Sequence, residues 1–435
     1  MRDRIENTIL HADTLRRLQR SSFEYFIHEV NPTNGLIRDK TAPDWPASIA
    51  AMGMALTVYI VGVERGFMDR REALHRTLTM LRFLADSDQS RAPDATGYKG
   101  FYYHFLHMQS GRRARRCELS SIDTALLIAG VLASAAYFEG AAADEAELRE
   151  LARFLYERVD WAWMCNQAEL LRHGWTPEKG FLRYHWEGYD EALILYLLAL
   201  GSPTFGLAPE SFAAWCRSYT WKKIYGISFL YAGPLFIHQL SHIWCDFRGI
   251  RDAFMRDHDC DYFENSRRAT LLQQQYAVRN PRGFPDYGEH CWGITASDGP
   301  GNLTMRIDDI DRRFYDYKSR GAPFGPDDGT IAPWAVAASL PFAPEIVAPT
   351  VAYFAQLQLK RPNPYGFKAS FNSVYKCPGE NGMGWVSGFH FGINEGPTVL
   401  MIENHRSDLI WTLMRRCKGL TSGLRAAGFS GGWLN

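Results

Sequence analysis

The chain has 435 residues, 46% hydrophobic, 14% aromatic and 22% charged, which is a globular composition long enough to bury a large core. Lys and Arg number 48, as do Asp and Glu, so the formal net charge is zero and the basic footprint of a nucleic-acid or anionic-membrane binder is lacking. The eight cysteines (Cys117, Cys165, Cys216, Cys245, Cys260, Cys291, Cys377 and Cys417) form no CxxC pair, and read as small buried hydrophobes in a reducing compartment rather than a disulfide frame.

From the N-terminus, MRDRIENTILHADTLRRL lacks the uninterrupted apolar core of a signal peptide. No run of about 18 or more uncharged apolar residues suggests a membrane span, so the expected location is cytoplasmic. A first helix is predicted over Thr14–Val30. Beyond it, segments apolar on nearly every face (Ala47–Val63, Ile122–Phe138, Ala192–Leu200, Pro234–Phe247, Thr330–Leu340 and Thr398–Met414) alternate with amphipathic charged ones such as Arg70–Asp86, Ala143–Val159 and His258–Asn280. A helix apolar all round must be covered on both sides, whereas one with a single stripe faces water. Six buried helices alternating with roughly six half-exposed ones suit a closed all-α double ring, six inner helices inside six outer ones, with a cavity at its mouth. No Ser/Gly/Pro-rich linker or block of like charge interrupts the middle, so we expect one domain over residues 1–435, with residues 1–30 as a helix packed on it.

Candidate chemistry follows the same order. Arg112, Arg113, Arg115 and Arg116 form the one basic cluster, and without interleaved aromatics they read as a solvated loop. In ELSSIDTALLIAG (118–130), Asp123 opens an apolar helix behind Ser120 and Ser121, as a cap or as a cavity-facing acid. WEGYDEALILYLLALGSPT (186–204) sets Trp186, Glu187, Tyr189, Asp190 and Glu191 ahead of a wholly apolar helix. One acid suffices for a cap, so three within five residues, flanked by aromatics, point to a sugar-binding mouth with Glu191 as its functional acid. His238, His242 and Asp246 follow at i, i+4, i+8 on a predicted helix, without the HExxH pattern of a zinc site; they read as sugar-contacting or core histidines, not metal ligands. In DYFENSRRAT (261–270), Arg267 or Arg268 is placed to brace the acids. DYGEHCWGITASDGPG (286–301) is an irregular loop dense in acids and glycines, from which Glu289, Trp292 and Asp298 stand out. Asp327 and Asp328 precede another apolar run, again as caps or cavity acids.

Other chemistries lose support by absence of their motifs. Asp308–Asp309–Ile310–Asp311 has the wrong spacing for a DDxxD magnesium cluster, and no Walker loop, GxGxxG or GxSxG occurs.

Taken together, IDTALLIAG, WEGYDEALILYLLALGSPT, PLFIHQLSHIWCDFRG, DYFENSRRAT, YGEHCWGITASDGPG, DDGTIAPWA and MIENHRSDLIW resemble the glucoamylase-like family of bacterial carbohydrate enzymes. That group includes glycoside hydrolase family 144, the endo-β-1,2-glucanases, and related domains of cyclic β-1,2-glucan synthases. The resemblance runs from about Leu15 to Phe429. It implies an (α/α)6 toroid and action on β-glucans, β-1,2-linked above all, at a cleft of acids and aromatics. The chain departs from the family at Asp190, where GYNEA is usual, and at Phe205, where GSPTH is usual; both changes bear on subsite specificity.

Glycoside cleavage uses one protonated carboxyl to protonate the leaving oxygen and one ionised carboxyl to activate water or attack the anomeric carbon. The expected donor is Glu191, with Asp190 beside it resisting a second negative charge. The expected second carboxylate is Glu289, with Asp123 and Asp298 as substitutes, and Trp186, Tyr189 and Trp292 are expected to stack on pyranose faces. No metal or organic cofactor is called for. The partner is an oligosaccharide or glucan, cleaved or transferred. The alternatives are a different glycoside, a strict transglycosylase, or a non-catalytic glycan-binding protein.

Overall fold

Two serines show how this chain builds its helices. Ser48 and Ser120 each end a two-residue strand and, as N-caps, begin the apolar helices Ile49–Glu64 and Ser121–Tyr137. Their hydroxyls accept from Ala51 N at 3.4 Å and Asp123 N at 3.2 Å, satisfying amides that a helix start otherwise leaves open. The computed structural model describes residues 2–357, 359, 365–376 and 384–435, with side chains from residue 11 onward. The chain is helix-rich, and its strands are short ones of two to five residues. It divides into two compact units.

The larger unit holds residues 26–220, 241–263 and 406–435. Ile49 through Gly62 are buried without interruption, and so is every residue of the helix Leu193–Leu200. By contrast Arg70–Asp86 buries only the stripe Ala73, Thr77, Leu78, Met80, Leu81 and Leu84, and Ala143–Glu157 is similarly one-sided. Both helix types therefore stand where the hydropathy pattern predicts them. The two long apolar helices cross backbone to backbone at glycines: a Cβ on Gly130 would lie 2.1 Å from the Gly53 carbonyl oxygen, and one on Gly53 2.3 Å from that of Leu126.

A broken antiparallel ladder runs across the mouths of these helices. Arg38 bridges Ala47, Ala47 and Ser48 pair with Leu106 and Phe105, Tyr103 bridges Leu119, and Leu119 and Ser120 pair with Trp175 and Gly174. Two of its residues, Ser48 and Ser120, are the N-caps of apolar helices.

The smaller unit holds residues 1–25, 221–240 and 264–405. It contains most of the first helix, Arg2–His28, where Gln19 Nε2 donates to Val399 O and Glu403 Oε2, both at 3.1 Å, on the helix Gly392–Ser407. It also holds most of Tyr262–Arg279, the helices Pro333–Ala338 and Pro344–Gln356, and hairpins at 221–230 and 303–314.

Three expectations about elements fail. The run Pro234–Phe247 forms two 3-10 turns, Leu235–His238 and Leu240–Ile243, so His238, His242 and Asp246 share no helix face. Side chains there are committed elsewhere: Ser241 Oγ accepts from Ile194 N at 3.1 Å, and Asp246 accepts from the Arg248 amide and guanidinium. The Asp246 bonds are local ones of the kind that compete with helix propagation, and the Ser241 bond ties the segment to a distant helix. The run Thr398–Met414 is broken at Asp408, whose φ of 57° separates Gly392–Ser407 from Leu409–Met414. The basic cluster is not wholly solvated: Arg113 is buried against the Tyr103 ring and pairs with Glu178 at 2.7 Å. No disulfide joins the described cysteines. Among the described residues no helix is long and apolar enough to cross a membrane.

Candidate active site

In the larger unit, the ladder and the helix starts bring six titratable side chains together: Asp39, His104, Glu118, Asp123, Asp190 and Glu191. His104 and Glu118 face each other on the ladder, and the His104 amide donates to the Glu118 carbonyl at 3.0 Å. Their side chains pair as well, with Nδ1 3.0 Å from Glu118 Oε1 and 3.6 Å from Asp123 Oδ2. Asp39 is buried and accepts from Trp45 Nε1 at 2.8 Å. Ser120 Oγ donates to Asp123 Oδ2 at 2.5 Å. The serine hydroxyl is thus the cap, and the buried Asp123 carboxylate turns toward His104.

Asp190 and Glu191 also differ in how their carboxyls are engaged. Gly188, at φ 81°, turns the chain ahead of them; only a residue without Cβ takes that conformation easily. Asp190 Oδ1 accepts from Ala192 N at 2.9 Å and from Trp215 Nε1 at 3.2 Å, so Asp190 fixes the turn just ahead of the helix Leu193–Leu200, whose Ile194 amide is met by Ser241 Oγ. Among the described residues no hydrogen bond reaches the Glu191 carboxyl, and the side chain keeps some contact with solvent.

Electrostatics divide this group. Burial, reinforced by the negative charges of Asp190 and Asp123 and opposed by His104, pushes Glu191 up to about 8. Burial lifts Asp190 to about 7 against its two hydrogen bonds, and raises Asp39 against its bond from Trp45. For His104, burial opposes the charge, yet Asp123, Glu118 and Asp39 together carry its imidazole up to about 9. Burial also works against an ionised Glu118, but the His104 bond and charge prevail and its carboxyl falls below the usual value. At neutral pH the arrangement favours a protonated Glu191 in a group that also holds the His104 cation and an ionised Glu118.

The other expected residues lie apart from this role. Trp186 is buried, stacked on His173 at 3.9 Å and donating from Nε1 to Ser121 Oγ at 2.9 Å. Tyr189 is buried against Tyr219 and Tyr262, and Trp292 is fully buried, donating to Thr350 Oγ1 at 3.0 Å. Fully buried, Trp292 offers no face to a sugar, which corrects its reading as a stacking platform; Trp186 and Tyr189 are largely packed against neighbouring rings. His238 is a core residue, facing Ala232 O at 3.2 Å, and burial pulls it down to about 4. His242 is equally buried beside Phe247.

In the smaller unit Glu289 is exposed on a tight bridge between Gly288 and Cys291. Trp292, Asp298, Asp327 and Asp328 belong to the same unit. Asp298 accepts from Ser387 Oγ at 2.7 Å, and Asp327 from Tyr276 and Tyr287 at 2.8 and 2.7 Å. Asp328 holds the fully buried Arg320 through two bonds of 2.8 and 2.9 Å. These acids brace loops; the helix behind them starts at Pro333 without a side-chain cap. Arg267 pairs with Glu345 at 2.9 Å rather than with the clustered acids. Among the described residues no group of three or more His, Cys, Asp or Glu side chains is arranged to hold a metal ion.

Sequence reasoning missed Asp39, His104, Glu118 and the half-exposed Trp45. One signal was available for His104: it is the lone polar residue in the apolar stretch Phe101–Leu106, where a buried polar group needs a purpose.

Residues 183–418 match the Glycoamylase family model, described as putative glucoamylase. A crystal structure of a protein of that description from Bacteroides uniformis has 28% identity and a TM-score of 0.86, over 98% of this chain and 99% of that one. The exo-β-1,2-glucooligosaccharide sophorohydrolase of Parabacteroides distasonis is 27% identical over 94% of this chain, which spans only 57% of that relative's length. The endo-β-1,2-glucanase of Chitinophaga pinensis, solved with sophorotriose and glucose, superposes with a TM-score of 0.85 over 97% and 99% of the two chains. Its 24% identity speaks for the fold alone.

Proposed function

The chain belongs to the glucoamylase-like family, and on that premise we propose that it hydrolyses β-glucosidic bonds in β-1,2-linked glucans or glucooligosaccharides. Glu191 is the proton donor in this reading and Asp123 the second carboxylate. The observation that carries it is the unbonded Glu191 carboxyl, pushed up to about 8 at the mouth of an apolar helix within reach of the charges of Asp190, Asp123 and His104. A carboxyl that keeps its proton at neutral pH is what a glycosidic leaving oxygen requires.

In the reaction Glu191 protonates the departing oxygen as the bond to the anomeric carbon breaks, and the positive charge that develops on the sugar ring faces the carboxylates of Asp123 and Glu118. Asp123 then takes a proton from the attacking water, directly or through a substrate hydroxyl. The substrate class follows the names of the P. distasonis and C. pinensis relatives. Asp123 is preferred to Glu289 as partner because its charge acts on Glu191, whereas Glu289 is exposed in the smaller unit. For the whole chain we favour one catalytic domain over residues 1–435 closing as an (α/α)6 toroid, a reading supported by the alternation of fully buried and one-sided helices.

The test is product analysis on defined β-1,2-glucooligosaccharides, with β-1,3- and β-1,4-linked controls. New reducing ends from the β-1,2 series alone are expected, and Glu191→Gln should abolish them while oligosaccharide binding persists. Binding without product by the wild type would leave a glycan-binding protein. Turnover that survives Glu191→Gln would remove the donor assignment.

A further inference from the structure

We infer that His104 is a positioning residue of this site, a fixed cation that bridges Glu118 and Asp123 and sets the pH range over which the acids work. The inference deepens the proposed function and rests on its choice of Glu191 and Asp123.

The geometry is built from both backbone and side chain. The His104 amide is bonded to the Glu118 carbonyl, and its own carbonyl accepts from Ile49 N at 3.3 Å, the first residue of an apolar helix. The ring stacks on Phe105 with centroids 4.1 Å apart. Nδ1 is therefore held 3.0 Å from one carboxylate and 3.6 Å from a second, each at the start of the other apolar helix. A histidine needed only for filling would not require two acids, and here the titratable groups around it come from four places: Asp39 beside the first rung, Glu118 before the helix, Asp123 within it, and Glu191 ahead of Leu193–Leu200. Lys40 and Trp45 act on Asp39, and Asp190 acts on Glu191. An imidazolium in this position lowers the cost of keeping two carboxylates together, and it tempers the rise of Glu191, whose proton would otherwise be held too firmly to give away.

The expected pH behaviour has a definite sign. Without the cation, Glu118 holds its proton to higher pH, and Glu191 does too, because His104 is the influence that lowers it; Asp123 loses the positive charge 3.6 Å away. Both limbs of the pH profile of kcat/KM should therefore move to the alkaline side in His104→Gln, by about one unit or more. KM should change little, and His104→Lys, which restores a cation, should bring the limbs part of the way back. A loss of kcat in His104→Gln with unmoved limbs would overturn the inference and leave a structural histidine.

A second measurement does not depend on turnover or on a variant that folds. Imidazole nitrogen NMR of the wild-type protein should show His104 still doubly protonated at pH 8, and titration near 6.5 would overturn the inference. The reading of function fails separately, through Glu191→Gln.

Discussion

Replacing Glu191 by Gln tests the raised pKa of this carboxyl through folding rather than through catalysis. The carboxyl moves from 4.5 to about 8 on folding, chiefly through burial. A group raised in this way holds its proton in the folded state while the unfolded chain gives it up. Its contribution is complete below pH 4.5 and is lost as pH rises through 8, so the wild type weakens across that window. At ~1.4 kcal/mol per pH unit the loss reaches about 3 kcal/mol at pH 7 and about 1 kcal/mol at pH 5. Solvent contact at the mouth reduces the difference between those two values to ~1–2 kcal/mol. Glutamine has the same shape and no proton to lose. Urea unfolding of both proteins at pH 5, 6, 7 and 8 should show the variant gaining on the wild type by that amount between pH 5 and 7. A stability difference that stays constant across the series, or that shifts in favour of the wild type as pH rises, would refute the argument, because an ordinary carboxyl has the same pKa folded and unfolded.

Three further substitutions probe how the site is held. Ser120→Ala removes both the helix cap and the hydroxyl on Asp123 Oδ2, and should cost ~1 kcal/mol in denaturant unfolding. Gly130→Val drives a side chain into the Gly53 carbonyl at the helix crossing, so a loss of about 2 kcal/mol or more is expected, read as a lowered melting temperature; an unchanged one would mean that the helices separate freely. Asp328→Asn leaves Arg320, fully buried, without its counter-charge, at a cost of roughly 3–5 kcal/mol. Because this pair braces loops, its loss should appear in thermal melts before any change in the pH profile.

The helices were legible where hydropathy is uninterrupted or cleanly one-sided. Arg70–Asp86 stands at its expected limits, and Ile49–Glu64 within two residues of them, because burial on all faces or one leaves an unambiguous stripe. Pro234–Phe247 has an equally apolar composition and is not an α-helix, since composition says nothing about Ser241 and Asp246 being engaged by partners distant in the chain. Asp123 and Glu191 were visible for a related reason: each is a polar residue at the edge of an apolar run, and such edges are read easily. Asp39, His104 and Glu118 were harder because they sit beside bridges and strands of one or two residues, too short for alternation to register. The aromatics misled for the opposite reason. A tryptophan beside acids looks like a platform in sequence, and only coordinates reveal that His173 already covers Trp186.

The serines that join ladder to helix leave this protein with unequal tolerance to changes in length. A residue inserted at 109–112, in the turn beyond the ladder, lengthens a loop and moves none of the clustered acids. One inserted between Ser120 and Asp123 rotates everything after it by about 100° around the helix axis, because that is the angular step of a single α-helical residue. The carboxylate would swing away from the imidazole while the cap stayed behind. Natural variation in chain length should therefore gather in the turns between rungs, and leave the three-residue spacing from serine to aspartate untouched.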